Sequence, residues 1–96
     1  MKEITIAELK KKLKSSDFFL LDVRELIERN QFNIGGEWIP INEIPSRMKE
    51  LPDQNTEIIV YCRSGIRSAH VTHYLNQNGY SNVFNLKGGL IKWEDE

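Results

Sequence analysis

The stretch from Ile58 to Ser68, Ile-Ile-Val-Tyr-Cys-Arg-Ser-Gly-Ile-Arg-Ser, constrains the fold more than any other part of the chain. Ile58 to Tyr61 is a short apolar run rich in β-branched residues and bounded by polar neighbours, the pattern of a buried strand. Cys62, the one cysteine in the sequence, stands where that run ends. A helical pattern begins at Ser68 and runs to Asn78, with Gly79 as its C-terminal stop. The cysteine is therefore expected at a strand-to-helix turn, and open α/β sheets bind ligands at the carboxyl ends of their strands. Backbone N–H groups of Arg63 to Ser68 can point inward around the sulfur in such a turn. Helix N-termini and nests of amides favour negative charge. Arg63 and Arg67 add two positive charges nearby. Together these features favour an anion on sulfur.

Cys-Arg-Ser-Gly-Ile-Arg-Ser after an apolar strand resembles the active-site loop of single-domain rhodaneses, sulfurtransferases that carry a persulfide on a cysteine. The resemblance extends over nearly the whole chain. Leu20-Leu21-Asp22-Val23-Arg24-Glu25 is similar to the family's Asp-Val-Arg-Glu segment, and Gly79-Tyr80 through Val83 to Gly88-Gly89 and Trp93 is similar to its closing pattern. Asn33-Ile34-Gly35-Gly36 with Ile39-Pro40-Ile41 matches more loosely: Asn33 stands in place of the usual histidine, Gly35 of the proline and Glu37 of the alanine. These departures fall in a loop of the first half and leave the cysteine loop intact. The resemblance implies one rhodanese-like domain over residues 1–96, with a mostly parallel central sheet flanked by helices on both faces. It implies Cys62 as the nucleophile and Arg63, Ser64, Gly65, Ile66, Arg67 and Ser68 as the substrate-binding loop.

Length and charge bound the possibilities independently. Ninety-six residues suffice for one core and are too few for two. A formal net charge of −1 argues against a nucleic-acid or membrane-surface role driven by bulk electrostatics. No stretch approaches membrane-spanning length, and the N-terminus lacks the apolar segment of a signal peptide. One cysteine allows no internal disulfide, which fits a reducing compartment, the cytoplasm by default.

The rest of the chain reads as strands alternating with helices, the signature of an α/β domain with a mostly parallel sheet. Ile4 to Ile6 forms a short first strand or leads straight into a helix. Thr5 and Glu8 have capping-box spacing, and Leu9 and Leu13 provide a narrow apolar stripe. Four lysines, Lys10, Lys11, Lys12 and Lys14, crowd this helix, and a solvated face accounts for them better than a docking patch. Ser15-Ser16-Asp17 breaks the pattern. Phe18 to Val23 suits a strand covered on both faces. Asp22, three residues before Glu25, most simply caps a helix over Arg24 to Asn30; a carboxylate acting on the reaction is the alternative. Arg24 and Glu25 are expected to order the loops. Phe32 to Ile41 is irregular, Pro45 opens a helix anchored by Met48 and Leu51, Val83 to Leu86 is a last strand, and Leu90 to Trp93 a short helix in which Trp93 packs. His70 and His73 lie three residues apart on the helix after the loop. No Cys/His cluster surrounds them, so they are expected to be structural and no metal or cofactor is called for.

A thiolate in a cationic, amide-lined pocket is suited to attack an electrophilic sulfur that carries an anionic leaving group, as in thiosulfate, which departs as sulfite. Gly65 lets the backbone turn, and Ile66 can shield the sulfur from water. The donor is expected to be thiosulfate-like, and the acceptor a thiol or cyanide, with a thioredoxin-like or sulfur-relay protein as a candidate partner. Cysteine phosphatases and arsenate reductases also join cysteine and arginine around an oxyanion. Here four residues separate Cys62 from Arg67, one fewer than phosphatases use, and the smaller cradle suits a sulfur atom better than a phosphoryl group. A non-catalytic persulfide carrier would use the same site. An inert core cysteine is the commoner role for a lone cysteine after an apolar run, but such a residue gains nothing from two arginines.

Overall fold

A computed structural model describes residues 1–15 and 17–95. Five strands alternate with helices: β1 (Lys2–Ile4), α1 (Ile6–Ser15), β2 (Phe19–Asp22), α2 (Leu26–Gln31), β3 (Glu37–Trp38), β4 (Ile58–Tyr61), α3 (Ile66–Gln77) and β5 (Val83–Leu86). Three 3₁₀ segments, Ile41–Glu43, Pro45–Glu50 and Leu90–Asp95, complete the chain. The sheet has the order β1-β5-β4-β2-β3, and every neighbouring pair is parallel. The expected mostly parallel sheet is thus wholly parallel.

Both faces are covered. Ile58, Val60 and Cys62 point into one apolar cluster with Leu21, Val23, Val71 and Leu75, under α3 and the 3₁₀ segments that precede β4. Ile59 and Tyr61 point into the other, with Ile4, Ile6, Leu9 and Leu86, under α1 and the final 3₁₀ segment. Every residue from Ile58 to Cys62 is 0% exposed, which is why this run is apolar throughout rather than alternating. Each such aliphatic side chain contributes about 1.5–3 kcal/mol by leaving water. Among the described residues no helix is long and apolar enough to cross a membrane.

The capping box at Thr5 is present: the Thr5 N–H donates to Glu8 Oε1 at 2.9 Å and the Glu8 N–H to Thr5 Oγ1 at 3.1 Å. Of the two possibilities for Ile4 to Ile6, the chain takes both in turn, a strand ending at Ile4 and a helix beginning at Ile6. Ser16, in the break expected after α1, lies outside the described residues. Trp93 packs as expected, half-buried against the second cluster, with Lys10 Nζ 4.9 Å from its ring centroid.

Four expectations are corrected. Asp22 does not cap α2: the helix starts at Leu26, and Glu25 is its N-cap, exchanging capping-box bonds with Glu28. Asp22 is instead the buried last residue of β2, where arginines claim its carboxylate. The helix expected at Pro45 is a 3₁₀ segment kinked at Arg47 (φ −120°, ψ 21°), its path pinned by the burial of Ile44 and Leu51 on either side. Phe32 to Ile41 is not wholly irregular, since Glu37 and Trp38 pair with Leu21 and Asp22. A two-residue strand is too short to show periodicity. Finally, α3 begins at Ile66 rather than Ser68, because Gly65, at φ +93°, makes the turn a side chain would resist.

Candidate active site

Because β4 is the middle strand, the residue after it emerges between the loops that follow β2 and β5. That residue is Cys62, 0% exposed. Its Sγ accepts the N–H of Gly65 at 3.1 Å and of Ser68 at 3.3 Å, and Ser68 Oγ lies 3.3 Å away. The amides can face the sulfur because the carbonyls are held elsewhere. The N–H of Leu90 donates to the Cys62 carbonyl at 3.0 Å and that of Ile91 to the Arg63 carbonyl at 2.9 Å. Asn85 Nδ2 donates to the Gly65 carbonyl at 3.1 Å. With α3 starting at Ile66, the sulfur sits at a helix N-terminus inside a nest of N–H dipoles, an arrangement that stabilises negative charge there.

Gly89 lets the final segment come this close. At φ +65° it lies against the Arg63 carbonyl group, and an added Cβ would collide with that carbonyl and with the Ser64 nitrogen. Gly89→Ala is therefore expected to cost about 1–3 kcal/mol and to loosen the loop. Two measurements check this: a lower urea midpoint, and faster alkylation of the otherwise buried Cys62. An alkylation rate equal to that of the native protein would show that the loop does not depend on this approach.

The remaining loop residues divide. Arg63, Ser64 and Ile66 are exposed, Gly65 and Ser68 buried, and Arg67 half-buried. The two positive charges expected near the sulfur differ in their surroundings. Arg67 Nη1 and Nη2 each lie 2.8 Å from an oxygen of Glu28, on α2. These bonds from Arg67, helped by the Glu25 N–H, bring the Glu28 carboxyl down from 4.5 to about 2, against the opposing effect of burial. The Arg67 guanidinium is correspondingly raised, chiefly by its hydrogen bonds to Glu28. A carboxyl lowered on folding stabilises the fold above its unfolded value of about 4.5, and that contribution disappears as the pH falls toward 2. Native protein should thus lose stability more steeply than Glu28→Gln between about pH 5 and 3. Urea midpoints across that range test this, and parallel pH profiles would refute it.

Next to this pair is an open groove of about 350 Å³, lined by Arg24, Glu28, Gln31, Phe32, Arg63, Leu90 and Ile91. Arg24 lines it and is held from behind by the buried Asp22. The Asp22 carboxylate accepts Arg24 N–H at 3.0 Å, Arg24 Nε and Nη2 both at 2.9 Å, and Arg29 Nη1 at 3.1 Å. Arg24 Nη2 also donates to the Phe32 carbonyl at 2.8 Å, and its guanidinium carbon lies 5.4 Å from the centroid of the Tyr61 ring. Burial, with the Asp22 charge, pushes the Tyr61 phenol up to about 12, and its hydroxyl donates to the Gly35 carbonyl at 2.9 Å. Arg24 thus orders the loops as expected. His70 and His73 are exposed on α3, and His70 edges a small apolar pocket of about 200 Å³ with Ile41 and Tyr74.

Sequence reasoning missed Glu28, Asn85, Gly89 and the main chain of Leu90 and Ile91. Glu28 carries one usable signal, its capping-box spacing from Glu25. Asn85 carries another, as an amide inside an otherwise apolar strand.

A model of the Rhodanese-like domain matches residues 5–96. A sulfurtransferase of Allochromatium vinosum is 41% identical over 80 residues, covering 82% of this chain and 74% of that protein. The Bacillus subtilis protein YtwF, named as a candidate sulfurtransferase, is 39% identical and covers 100% of this chain and 93% of its own. The crystal structure of SSP1007 from Staphylococcus saprophyticus superposes with a TM-score of 0.89 at 38% identity, covering 100% of this chain and 96% of that one. With the family match spanning nearly every residue and the cysteine loop standing where a wholly parallel sheet opens, the chain belongs to the rhodanese-like domain family.

Proposed function

We propose that this protein is a sulfurtransferase that carries a sulfane sulfur as a persulfide on Cys62, moving it from thiosulfate or another persulfide donor to a thiol or cyanide. The observation that carries this reading is the pair of backbone N–H groups aimed at Sγ from Gly65 and Ser68. The Cys62 thiolate attacks the outer sulfur of the donor, the donor's sulfur–sulfur bond breaks, and the leaving group departs with the electron pair. With thiosulfate the leaving group is sulfite. The loop amides, Ser68 Oγ and the α3 N-terminus then hold the anionic terminal sulfur, with Arg63, Ser64, Ile66 and Arg67 forming the mouth. An acceptor thiolate or cyanide attacks that terminal sulfur and Cys62 leaves as the thiolate. With one cysteine in the sequence, no second cysteine of this chain can intercept the persulfide. A reducing compartment, the cytoplasm, suits such a thiol.

The test is the intact mass after incubation with thiosulfate. One added sulfur per chain, removed by a reducing thiol, is expected, as are parallel double-reciprocal lines at fixed acceptor concentrations. Intersecting lines with no charged protein would point to direct transfer in a ternary complex.

Carriage to a partner rather than turnover of small acceptors has one observation in its favour. Leu26, Ile27, Phe32, Ile66 and Ile91 are exposed apolar side chains on the segments that follow β2, β4 and β5 at the site's edge of the sheet. Such a rim suits a thioredoxin-like or sulfur-relay protein presenting a cysteine thiol. The B. subtilis protein YrkF, whose name marks it as a candidate sulfur carrier, is 34% identical, and this chain spans half its length. The phosphatase and arsenate-reductase alternative has no comparable support.

A further inference from the structure

The two arginines of the cysteine loop are not equivalent. Arg63 is exposed at the groove and, among the described residues, makes no ion pair. Arg67 is bound through both terminal nitrogens to both oxygens of Glu28, a planar fork that occupies its charge and its donors together. Glu28 is itself fixed, because its Oε1 also accepts the Glu25 N–H at 3.1 Å within the α2 capping box. The carboxylate cannot swing aside without opening the first turn of that helix. Arg24, the other cation lining the groove, is committed to Asp22. An incoming anion therefore meets one unmatched positive charge, at Arg63, and a fixed carboxylate beside it. A singly charged donor is matched by that arrangement. A dianion carries a second charge with no free partner in a groove that Glu28 also lines.

We propose that Glu28 selects the donor class of the Cys62 site: by cancelling Arg67 it favours singly charged sulfane-sulfur donors, organic persulfides foremost, over the dianion thiosulfate. This rests on the sulfur-transfer reading above and narrows its substrate. The step balances without any further reactant. The Cys62 thiolate bonds to the terminal sulfur of the persulfide anion R–S–S⁻, the old sulfur–sulfur bond breaks, and R–S⁻ leaves with its electron pair. One thiolate and one persulfide anion become another of each.

Thiosulfate and methanethiosulfonate test this directly. Both present the same kind of terminal sulfur, but a methyl group in the second replaces one anionic oxygen, so it is a monoanion. The leaving groups are sulfite and methanesulfinate, and cyanide serves as acceptor for both. In Glu28→Gln the side-chain oxygen can still accept from the Glu25 N–H and from Arg67 Nη1, while the charge and the second bond to Arg67, from Nη2, are lost. The ratio of kcat/KM for thiosulfate to that for methanethiosulfonate should rise about fivefold to tenfold in this variant, the order expected of one charge near a protein surface. The change should lie in the thiosulfate KM, and thiosulfate kcat/KM should become more sensitive to salt. A purely structural role would not move the two donors apart in this way. Arg67→Gln, which leaves Glu28 unmatched, should move the ratio in the opposite direction, and it decides the matter should Glu28→Gln fail to fold. An unmoved or inverted ratio, in native protein that both donors charge, overturns the role of Glu28 alone. If neither donor adds sulfur to the native protein, the transfer reading falls, and this proposal with it.

Discussion

Cys62→Ser is expected to abolish sulfur transfer, by at least about a thousandfold, because no other group in the chain can hold the intermediate. Serine is the informative replacement. Its hydroxyl can still accept from the Gly65 and Ser68 N–H groups that now meet sulfur at 3.1 and 3.3 Å, so the loop has no reason to rearrange. The hydroxyl does not ionise in the working pH range, however, and an oxygen–sulfur adduct would not pass its sulfur on. Loss of some packing around a fully buried atom should lower stability by about 1 kcal/mol. Rate of thiocyanate formation, intact mass after donor treatment, and a urea titration together separate chemistry from folding. Transfer above roughly one per cent of the native rate, in a variant that shows no sulfur adduct, would remove Cys62 from the nucleophile's role.

Asp22→Ala carries the largest expected effect on stability. Asp22 is 0% exposed and Arg24 only 4%, and the carboxylate supplies the partner of Arg24 Nε and one of the two partners of Nη2. Removing it strands a buried guanidinium, at a cost of about 3–5 kcal/mol. That is a large share of the roughly 5–15 kcal/mol that holds a domain together. In a domain of this size it corresponds to a fall in Tm of roughly 12–30 °C. Arg29, partly exposed, can turn to water, so the penalty belongs to Arg24. The diagnostic control is Asp22→Ala combined with Arg24→Met, which removes the charge along with its partner and should recover much of the loss. A single variant within about 1 kcal/mol of native would mean that Arg24 does not depend on Asp22 for its burial.

How much of this was legible in the sequence depended on the range of the interaction concerned. Ile58 to Tyr61 announces a strand buried on both faces, because burial on two sides removes alternation, and the structure buries each of those residues completely. Thr5 and Glu8 announce a helix start because a capping box is a contact between residues three apart. Asp22 and Glu25 share that spacing and misled, because the buried end of β2 placed Arg24 and Arg29 within reach of Asp22, and charge pairing in the interior outweighed a local cap. Arg67 was legible as a residue of the loop but its charge was not legible as already matched. Glu28 lies 39 positions away, on an element whose position depends on the sheet order. The supports of the loop were invisible for a related reason. Leu90 and Ile91 contribute main-chain N–H groups, which every residue except proline possesses, and so leave no mark on residue identity.

Those same main-chain bonds set an order of assembly. Cys62 precedes Leu90 and Ile91 on the ribosome, and β5, which brings them back, must first dock between β1 and β4. Pairings between such distant segments form late, since the loop they close has to be ordered first. Until they form, the carbonyls of Cys62, Arg63 and Gly65 have no reason to turn away from the sulfur. A nascent or partly unfolded chain therefore lacks the nest of amides around Cys62, which comes into being only once β5 has docked.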